Sequence, residues 1–286
     1  MTTNNAINLR QPGITIYNNS LGIFLGLSLT KGQLLTFDGA TNQYAVLPVG
    51  ADGKFLSSNS SQDTGLEWVS APGGGFTSIN QQIFTASGTY TPTSGMKYCI
   101  TESIGGGGAG GRCAATSLGQ VAAGGGGQAG NYNIRIFNAA AIGASQPINI
   151  GLGGTGVVNN TGNGGGTTSI GAGGTLLQAF GGNGGERGVN GLTTYSQGGI
   201  GTIGTFGRGA PGTCGWGSGG VCFSGAGGNS MYGYGGASQI NNGSTVLGDF
   251  GICGGGGGGT SNGPAGGSAS AGANGGDGIV IITEYI

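Results

Sequence analysis

Glycine is spread so unevenly along this chain that it divides the sequence into two parts. The 286 residues include 76 glycines, of which 13 fall in the first 100 residues and 63 in the last 186. A typical globular domain contains about 7% glycine. Glycine also loses more backbone freedom on folding than any other residue. A stretch that is one-third glycine therefore either stays flexible or gains many mutual backbone contacts.

Composition also excludes several classes of function. The chain has no histidine, 8 lysines and arginines, 9 aspartates and glutamates, and a net charge of −1. Without histidine the commonest general base and metal ligand is missing, and without a basic surface nothing attracts a phosphate backbone. A G-x-G-x-x-G pattern at Gly105, Gly107 and Gly110 carries no weight in so glycine-rich a sequence. We therefore predict no enzyme activity, no metal, no cofactor and no nucleic-acid partner.

The cysteines give two alternatives for the redox state of the protein. There are five of them, no two are spaced as C-x-x-C, and no histidine is present to complete a zinc site. Cys99 falls in a strand candidate and is expected to be buried. If the protein reaches an oxidising medium, a disulfide between Cys214 and Cys222 is the alternative to free thiols.

Runs of β-branched and aromatic residues predict strands, and no segment shows a useful helical period, so we predict an all-β fold. The runs at residues 96–104 and 278–285 are the longest of these, and we expect them to be neighbours in one sheet. The other predicted strands cover residues 14–17, 33–37, 43–49, 82–85, 88–92, 132–137, 147–152, 167–170 and 176–180.

The strand candidates and the glycine content together predict three segments. Residues 1–72 hold short, sparsely apolar strands that cannot bury themselves, so they need other copies of the chain. Residues 73–81 form a glycine-rich linker, because proline stops a strand and consecutive glycines do not sustain one. Residues 82–286 form a glycine-rich head.

Two interpretations of the glycine tracts in the head remain open. The first is a set of flexible linkers. The second is an ordered packing of extended helices with three residues per turn, whose backbones approach closely and bond sideways. Isolated apolar residues within the tracts favour the second interpretation. The tracts cover residues 105–111, 124–130, 151–166, 181–191 and 197–276.

Three segments of the amino-terminal part resemble a module of bacteriophage tail fibres and other viral fibre proteins. They are K-G-Q-L-L-T-F-D-G at residues 31–39, V-L-P-V-G-A-D-G-K-F-L at residues 46–56, and D-T-G-L-E-W at residues 63–68. The resemblance covers about 40 residues. It implies a short intertwined β-shaft formed by a homotrimer that joins other tail or fibre proteins of a virion.

The head resembles the glycine-rich domain of phage tail proteins. The residues that carry the resemblance are F-T-A-S-G-T-Y-T-P at 84–92, residues 98–111, and G-G-D-G-I-V-I-I-T-E at 275–284. The order of segments is also similar to the glycine-rich region of anaplastic lymphoma kinase receptors. Together these resemblances imply a jelly-roll-like β-sandwich with inserted polyglycine II helices, as in adhesins at the tips of T-even-like phage fibres.

Aromatic side chains within the glycine block are the candidates for recognition, because rigid aromatic groups offer large contact area at low entropic cost. We expect them at turns at one end of the head, remote from the terminal strand, since a glycine bundle has no room for them inside. Tyr195 belongs to this aromatic set. The predicted receptor-binding residues are Phe206, Arg208, Trp216, Phe223, Tyr232 and Tyr234.

The sequence therefore predicts a viral tail-fibre or fibre-tip protein that recognises a glycan or an outer-membrane protein on a host cell. Residues 1–13 lack the pattern of a signal peptide, so we expect synthesis in the host cytoplasm and action outside it, in the virion. The alternatives are a structural glycine-rich spacer and, less favoured, an ice-binding protein.

Overall fold

A computed structural model describes residues 16–18, 23–25, 30–70, 77–158, 160–200 and 207–286. The chain divides into two compact units, Met1–Gly75 and Phe76–Ile286, which we call the amino-terminal unit and the head. Residues 73–76 of the predicted linker lie outside the described residues. Its last three residues belong to a strand that begins at Ile79.

The described residues of the amino-terminal unit form three antiparallel hairpins, each a separate two-stranded sheet. Asp38 caps the turn of the second hairpin, where its carboxylate accepts hydrogen bonds from the backbone of Ala40 and Thr41. Each hairpin joins two consecutive strands, β1 with β2, β3 with β4, and β5 with β6. The strands are β1 (Ile16–Asn18), β2 (Ile23–Leu25), β3 (Leu34–Asp38), β4 (Gln43–Leu47), β5 (Lys54–Ser58) and β6 (Leu66–Ser70).

The head is also built from antiparallel strands, which confirms the all-β prediction. The helices of its described residues are α1 (Ala139–Ile142) and a single 3₁₀ turn at Ala172–Gly174, and neither is long enough to cross a bilayer. The strands are β7 (Ile79–Phe84), β8 (Gly88–Tyr90), β9 (Tyr98–Ile104), β10 (Ala122–Ala123), β11 (Tyr132–Asn138), β12 (Gln146–Asn149), β13 (Thr168–Ile170), β14 (Leu177–Ala179), β15 (Thr193–Ser196), β16 (Gly215–Ser218), β17 (Val221–Phe223), β18 (Ile240–Asn241), β19 (Thr245–Val246), β20 (Ser261–Asn262) and β21 (Ile279–Tyr285).

Two four-stranded sheets form the base of the head. Their strand orders are β11-β9-β21-β7 and β14-β13-β12-β8. The predicted pairing of the two longest strands is confirmed: β9 and β21 run antiparallel, with Ile104 opposite Ile279 and Tyr98 opposite Tyr285. The core between the sheets is supplied by both of them. It contains Tyr90, Met96, Cys99, Ile142, Ile148, Ile150, Ile170, Leu177, Val280 and Ile282.

Above the base, the glycine tracts bond to each other through their backbones in a period of three. In residues 105–111, every third amide donates to the same neighbouring tract, over distances of 2.7–3.1 Å. A β-strand instead directs its groups to alternate sides, with a period of two. The donors 105, 108 and 111 bond to the carbonyls of 131, 128 and 125, donors 106 and 109 to 166 and 163, and donors 107 and 110 to 276 and 273.

The tract at residues 124–131 repeats this arrangement. Successive amides donate in turn to three antiparallel segments, which are residues 254–260, 180–186 and 210–213. The carbonyls of the tract accept hydrogen bonds from the amides of three further segments. The tract is fully buried, as are residues 105–111 and 254–260. Since nearly every N–H and C=O in it meets a partner, the tract meets the requirement that buried backbone groups be paired.

Glycine is required in these tracts because the neighbouring backbones leave no space for a side chain. A Cβ built on Gly107 would overlap the carbonyl oxygen of Gly255, and one built on Gly110 would overlap that of Gly258. Both distances from the Cβ to the carbonyl oxygen are well below 3.0 Å, a separation that real Cβ atoms essentially never go under. Gly164 differs, since its Cβ would meet only the carbonyl of Gly182 at 3.4 Å.

The terminal strand also carries a buried carboxylate that ties the edge of the base together. Glu284 is fully buried. One oxygen accepts from the hydroxyl of Tyr90 at 2.8 Å and the amide of Thr93 at 2.9 Å, and the other accepts from Thr93 Oγ1 and Asn80 Nδ2. Burial acts to raise the pKa of Glu284, but the bonds from Thr93 and Tyr90 outweigh it and hold the pKa below its usual value.

The tract packing predicts a sharp difference between two alanine substitutions. Gly107→Ala should lower the free energy of unfolding of the head by about 2 kcal/mol or more, because overpacking forces backbones apart. Gly164→Ala should change it by about 1 kcal/mol or less. Denaturant unfolding of the two variants checks this, and equal stabilities would contradict the close packing.

A second prediction concerns acid. The folded pKa of Glu284 lies below its unfolded value, so its contribution to stability is complete above about pH 5 and is lost as the pH falls through the folded pKa. Glu284→Gln should lower the free energy of unfolding at pH 7 by about 2 kcal/mol. Its difference from the wild type should shrink as the pH falls below about 4.

Unfolding curves recorded across this pH range measure the effect. The control is Glu67→Gln in the amino-terminal unit, which should leave the acid dependence of the head unchanged. A constant difference between wild type and Glu284→Gln at all pH values would contradict a charged Glu284.

Candidate functional site

Two small sheets close the far end of the glycine tracts, where Gly111, Gly124 and Thr260 lie. One contains β15, β16, β17 and β18 in that order, and the other contains β10, β20 and β19. Ser196 Oγ of the first sheet donates to the carbonyl of Ala123. Val121, Ala123 and Cys222 form a compact core at this end. We call the four-stranded sheet the distal sheet.

The distal sheet has one buried and one exposed face, and its strands alternate accordingly. A two-residue turn joins β16 to β17, and its first residue, Gly219, has a φ of 50° that favours glycine. On the buried face, Gly217 lies directly opposite Cys222. A Cβ at Gly217 would come within 2.7 Å of the Cβ of Cys222, so glycine permits close packing there.

The exposed face carries one large apolar side chain from each strand, all at the same level. Tyr195 lies opposite Trp216, Trp216 opposite Phe223, and Phe223 opposite Ile240. Their exposed fractions run from 36% for Phe223 to 68% for Ile240. The rings of Trp216 and Phe223 have centroids 5.9 Å apart and are tilted by 31°. We call these four residues the aromatic row.

A second row lies beside the first, two residues along β15, β16 and β17. It contains Thr193 opposite Ser218, and Ser218 opposite Val221. Thr193 and Ser218 are exposed. None of the residues in the four strands of the distal sheet is charged. The residues of these strands thus give the exposed face an apolar strip with adjacent hydroxyl groups and no charged side chain.

The phenol of Tyr195 is positioned from outside its own strand. Its oxygen lies 3.1 Å from the Sγ of Cys214. This hydrogen bond raises the pKa of Tyr195. Cys214 immediately precedes β16 and therefore helps to hold the first two members of the aromatic row together.

The structure separates the residues that were predicted to lie together. Trp216 and Phe223 are neighbours in the aromatic row, at the end remote from the terminal strand as expected. Tyr232 is at the other end, where its hydroxyl donates to Glu102 of β9 at 2.5 Å. The expectation of one shared end is therefore wrong for Tyr232.

Two further predicted residues also lie toward the base. Gly207 bridges to Tyr132 at the start of β11, and the next residue is Arg208. The carbonyl of Tyr234 accepts from the amide of Ile252, just before the base end of the tract at 254–260. Phe206, the remaining predicted residue, lies outside the described residues. Chain position within the glycine block does not indicate position along the bundle, because the segments run in both directions.

Tyr232 has a structural role that the sequence did not indicate. Tyr132 and Tyr232 both donate to the same oxygen of Glu102, at 2.6 and 2.5 Å. Their rings pack edge to face with centroids 6.3 Å apart. Burial and the bond to Glu102 raise the pKa of Tyr232 to about 12. The pair fastens the loop around Tyr232 to the base.

The alternative disulfide is not formed, because its two cysteines lie on opposite faces of the distal sheet. Cys222 is buried and directs its Sγ toward the carbonyls of Asn241 and Asn262. Cys214 is exposed and contacts Tyr195 on the other face. All five cysteines are free, and Cys99 is buried in β9 as predicted.

Ile240 and the pairing of Tyr195 with Trp216 were not predicted. A usable signal was present in W-G-S-G-G-V-C-F at residues 216–223. A Gly-Gly pair between two short alternating runs is typical of a two-residue hairpin. That rule would have placed Trp216 opposite Phe223. No comparable local signal links these residues to Tyr195 or Ile240.

The base has an exposed apolar surface of its own. Ile79 and Ile83 of β7, together with Ile136 of β11, are exposed on the sheet that contains the terminal strand. This surface holds Glu102, which Tyr132 and Tyr232 bond. The same face carries Tyr98 and Tyr285, whose rings stack with their centroids 4.5 Å apart.

The chain matches no model of a known protein family, and no curated protein matches it significantly. A function is therefore inferred from the chemistry of the exposed surfaces.

Proposed function

We propose that this chain is a viral tail-fibre or fibre-tip protein whose head recognises a receptor on the surface of a host cell. The aromatic row is the observation that supports it best. Side chains of Trp and Tyr are enriched where binding energy is concentrated, and these lie exposed on a sheet that pairing and a packed core hold rigid. The receptor is a glycan or an outer-membrane protein, and the chain acts in the virion outside the cell that made it.

The glycine tracts supply the rigidity, and we propose that they are polyglycine II helices inserted into a jelly-roll-like sandwich. The period of three in their hydrogen bonds supports this assignment, since an extended helix with three residues per turn directs successive groups in three directions. The two facing sheets of the base support the sandwich. Such a bundle would hold the distal sheet away from the base without a flexible connection.

The amino-terminal unit is proposed to be the trimeric shaft that joins the other tail or fibre proteins. The resemblance of residues 31–39, 46–56 and 63–68 to viral fibre modules motivates this. Thr36 is the single buried residue among residues 30–70, and Phe37, Val49 and Phe55 are exposed. Residues 30–70 thus have no apolar core among themselves, and packing against other copies of the chain would supply one.

Sedimentation equilibrium tests the trimer. We expect a mass three times the 27.4 kDa of one chain at micromolar concentration. Phe55→Ser should weaken the assembly because it removes an exposed apolar side chain of β5, whereas Leu118→Ser, an exposed position in the head, should not. A monomeric wild type would contradict the proposal.

Attachment to cells tests receptor recognition. Trp216→Ala should abolish binding of the full-length protein to receptor-bearing cells, because it removes the central ring of the row. Its stability should change by no more than about 1 kcal/mol, since the side chain is half exposed. Tyr234→Ala, which removes an exposed ring elsewhere, is the matched control and should bind normally.

The same assay separates the alternatives. If the chain is only a structural spacer, Trp216→Ala and Tyr234→Ala should leave attachment unchanged. The purified protein should then not compete with virus for cells. The rigid bundle is compatible with that role, but an exposed aromatic row has no use in it. An ice-binding protein would show thermal hysteresis, and the regular flat face that it needs is not expected because the glycine tracts lack a strict G-x-x repeat.

A further inference from the structure

We propose that the aromatic row binds an uncharged carbohydrate chain, laid across the four strands of the distal sheet. This inference rests on the proposed function, because it names the class of receptor that the same face takes. The argument uses the size, charge and chemistry of that face.

Size favours a small ligand over a protein. Strands in a sheet are about 4.8 Å apart, so a row across four of them is about 15 Å long and one side chain wide. With the second row beside it, the face offers an area on the order of 200 Å². A stable protein–protein interface needs about 800 Å² from each partner. An oligosaccharide of a few rings matches the strip without further contacts.

Charge favours a neutral ligand. The strands of the distal sheet contain no lysine or arginine that could pair with a phosphate or carboxylate. The carboxylate of Glu186 accepts a hydrogen bond from the backbone amide of Gln197, just after β15, and acts electrostatically on Tyr195, so it would repel an anionic ligand. Phosphorylated or acidic sugars would lose water from their charged groups and gain no cation in return.

The surface chemistry matches the two faces of a sugar ring. The C–H face of a pyranose is apolar and weakly positive, and it stacks on the negative face of an aromatic ring. The ring centroids of Trp216 and Phe223 are 5.9 Å apart, so one sugar chain laid along the row can contact both rings. Thr193 and Ser218 lie two residues, or about 7 Å, along their strands from the row, so their hydroxyls can bond the edge of a sugar ring that stacks on it.

The register of the sheet explains why these groups stay in place. The row consists of residues directly opposite each other in β15, β16, β17 and β18. The buried face below them is pinned by Cys222 and by Ser196 bonded to Ala123. A preformed row loses little conformational entropy when a ligand binds.

Binding to immobilised glycans tests the inference with full-length protein. The probes are an array of neutral oligosaccharides, including maltohexaose and cellohexaose, and an array of acidic ones, including oligogalacturonate. We expect hits among the neutral probes, weakened about tenfold or more by Trp216→Ala. Trp216→Phe should retain part of the affinity because it keeps a ring, and Tyr234→Ala should retain all of it.

Fluorescence locates the bound sugar. Trp68→Phe leaves Trp216 as the one tryptophan of the chain, so a change in emission on adding a neutral hit reports contact at the row. An absence of any neutral hit that depends on Trp216 overturns the inference. So does equal binding of neutral and acidic probes.

Treatment of cells distinguishes this inference from the proposed function. Periodate oxidation of cell-surface sugars should abolish attachment, and protease treatment should leave it intact. If protease abolishes Trp216-dependent attachment and periodate does not, receptor recognition stands while the carbohydrate inference fails. If attachment does not depend on Trp216 at all, the proposed function itself fails.

Discussion

The close approach of extended glycine backbones is the constraint on which the head depends. At Gly107, Gly110 and many similar positions, a neighbouring carbonyl oxygen occupies the space that a Cβ would need. The approach lets each buried tract bond in three directions through its own amides. Those bonds offset the large entropy that glycine loses on folding. A core built from side chains is thereby replaced by a lattice of backbone hydrogen bonds.

A lattice of this kind has room for few side chains, so most of the larger side chains of the head lie at its two ends. Gln128 is an instructive exception, because its buried amide bonds to the carbonyl of Gly209 and the amide of Asn183 and so joins the lattice. At one end, apolar side chains form the core between the two base sheets. At the other, the small core around Val121 and Cys222 supports a sheet whose outer face is aromatic.

The separation of the two ends gives the aromatic residues two different roles. Tyr132 and Tyr232 bond Glu102 and fasten a loop to the base. Trp216 and Phe223 are presented to solvent on a supported sheet. The second arrangement is what recognition requires, since the contact groups are ordered before the ligand arrives. The uncharged strands around the row support the proposal that its ligand is a neutral sugar.

The sequence by itself determined the all-β class and the pairing of β9 with β21. Long runs of β-branched residues, such as those ending at Ile104 and Tyr285, specify strands without help from their surroundings. It did not determine the strands inside residues 197–276. Strands of two to four residues, diluted by glycine, are too short for a period of two to be recognised. Only the tertiary structure decided that Tyr195 and Ile240 join Trp216 and that Tyr232 does not. Backbone hydrogen bonds between distant tracts set those positions. Every glycine offers the same N–H and C=O, so the sequence does not indicate which tracts pair.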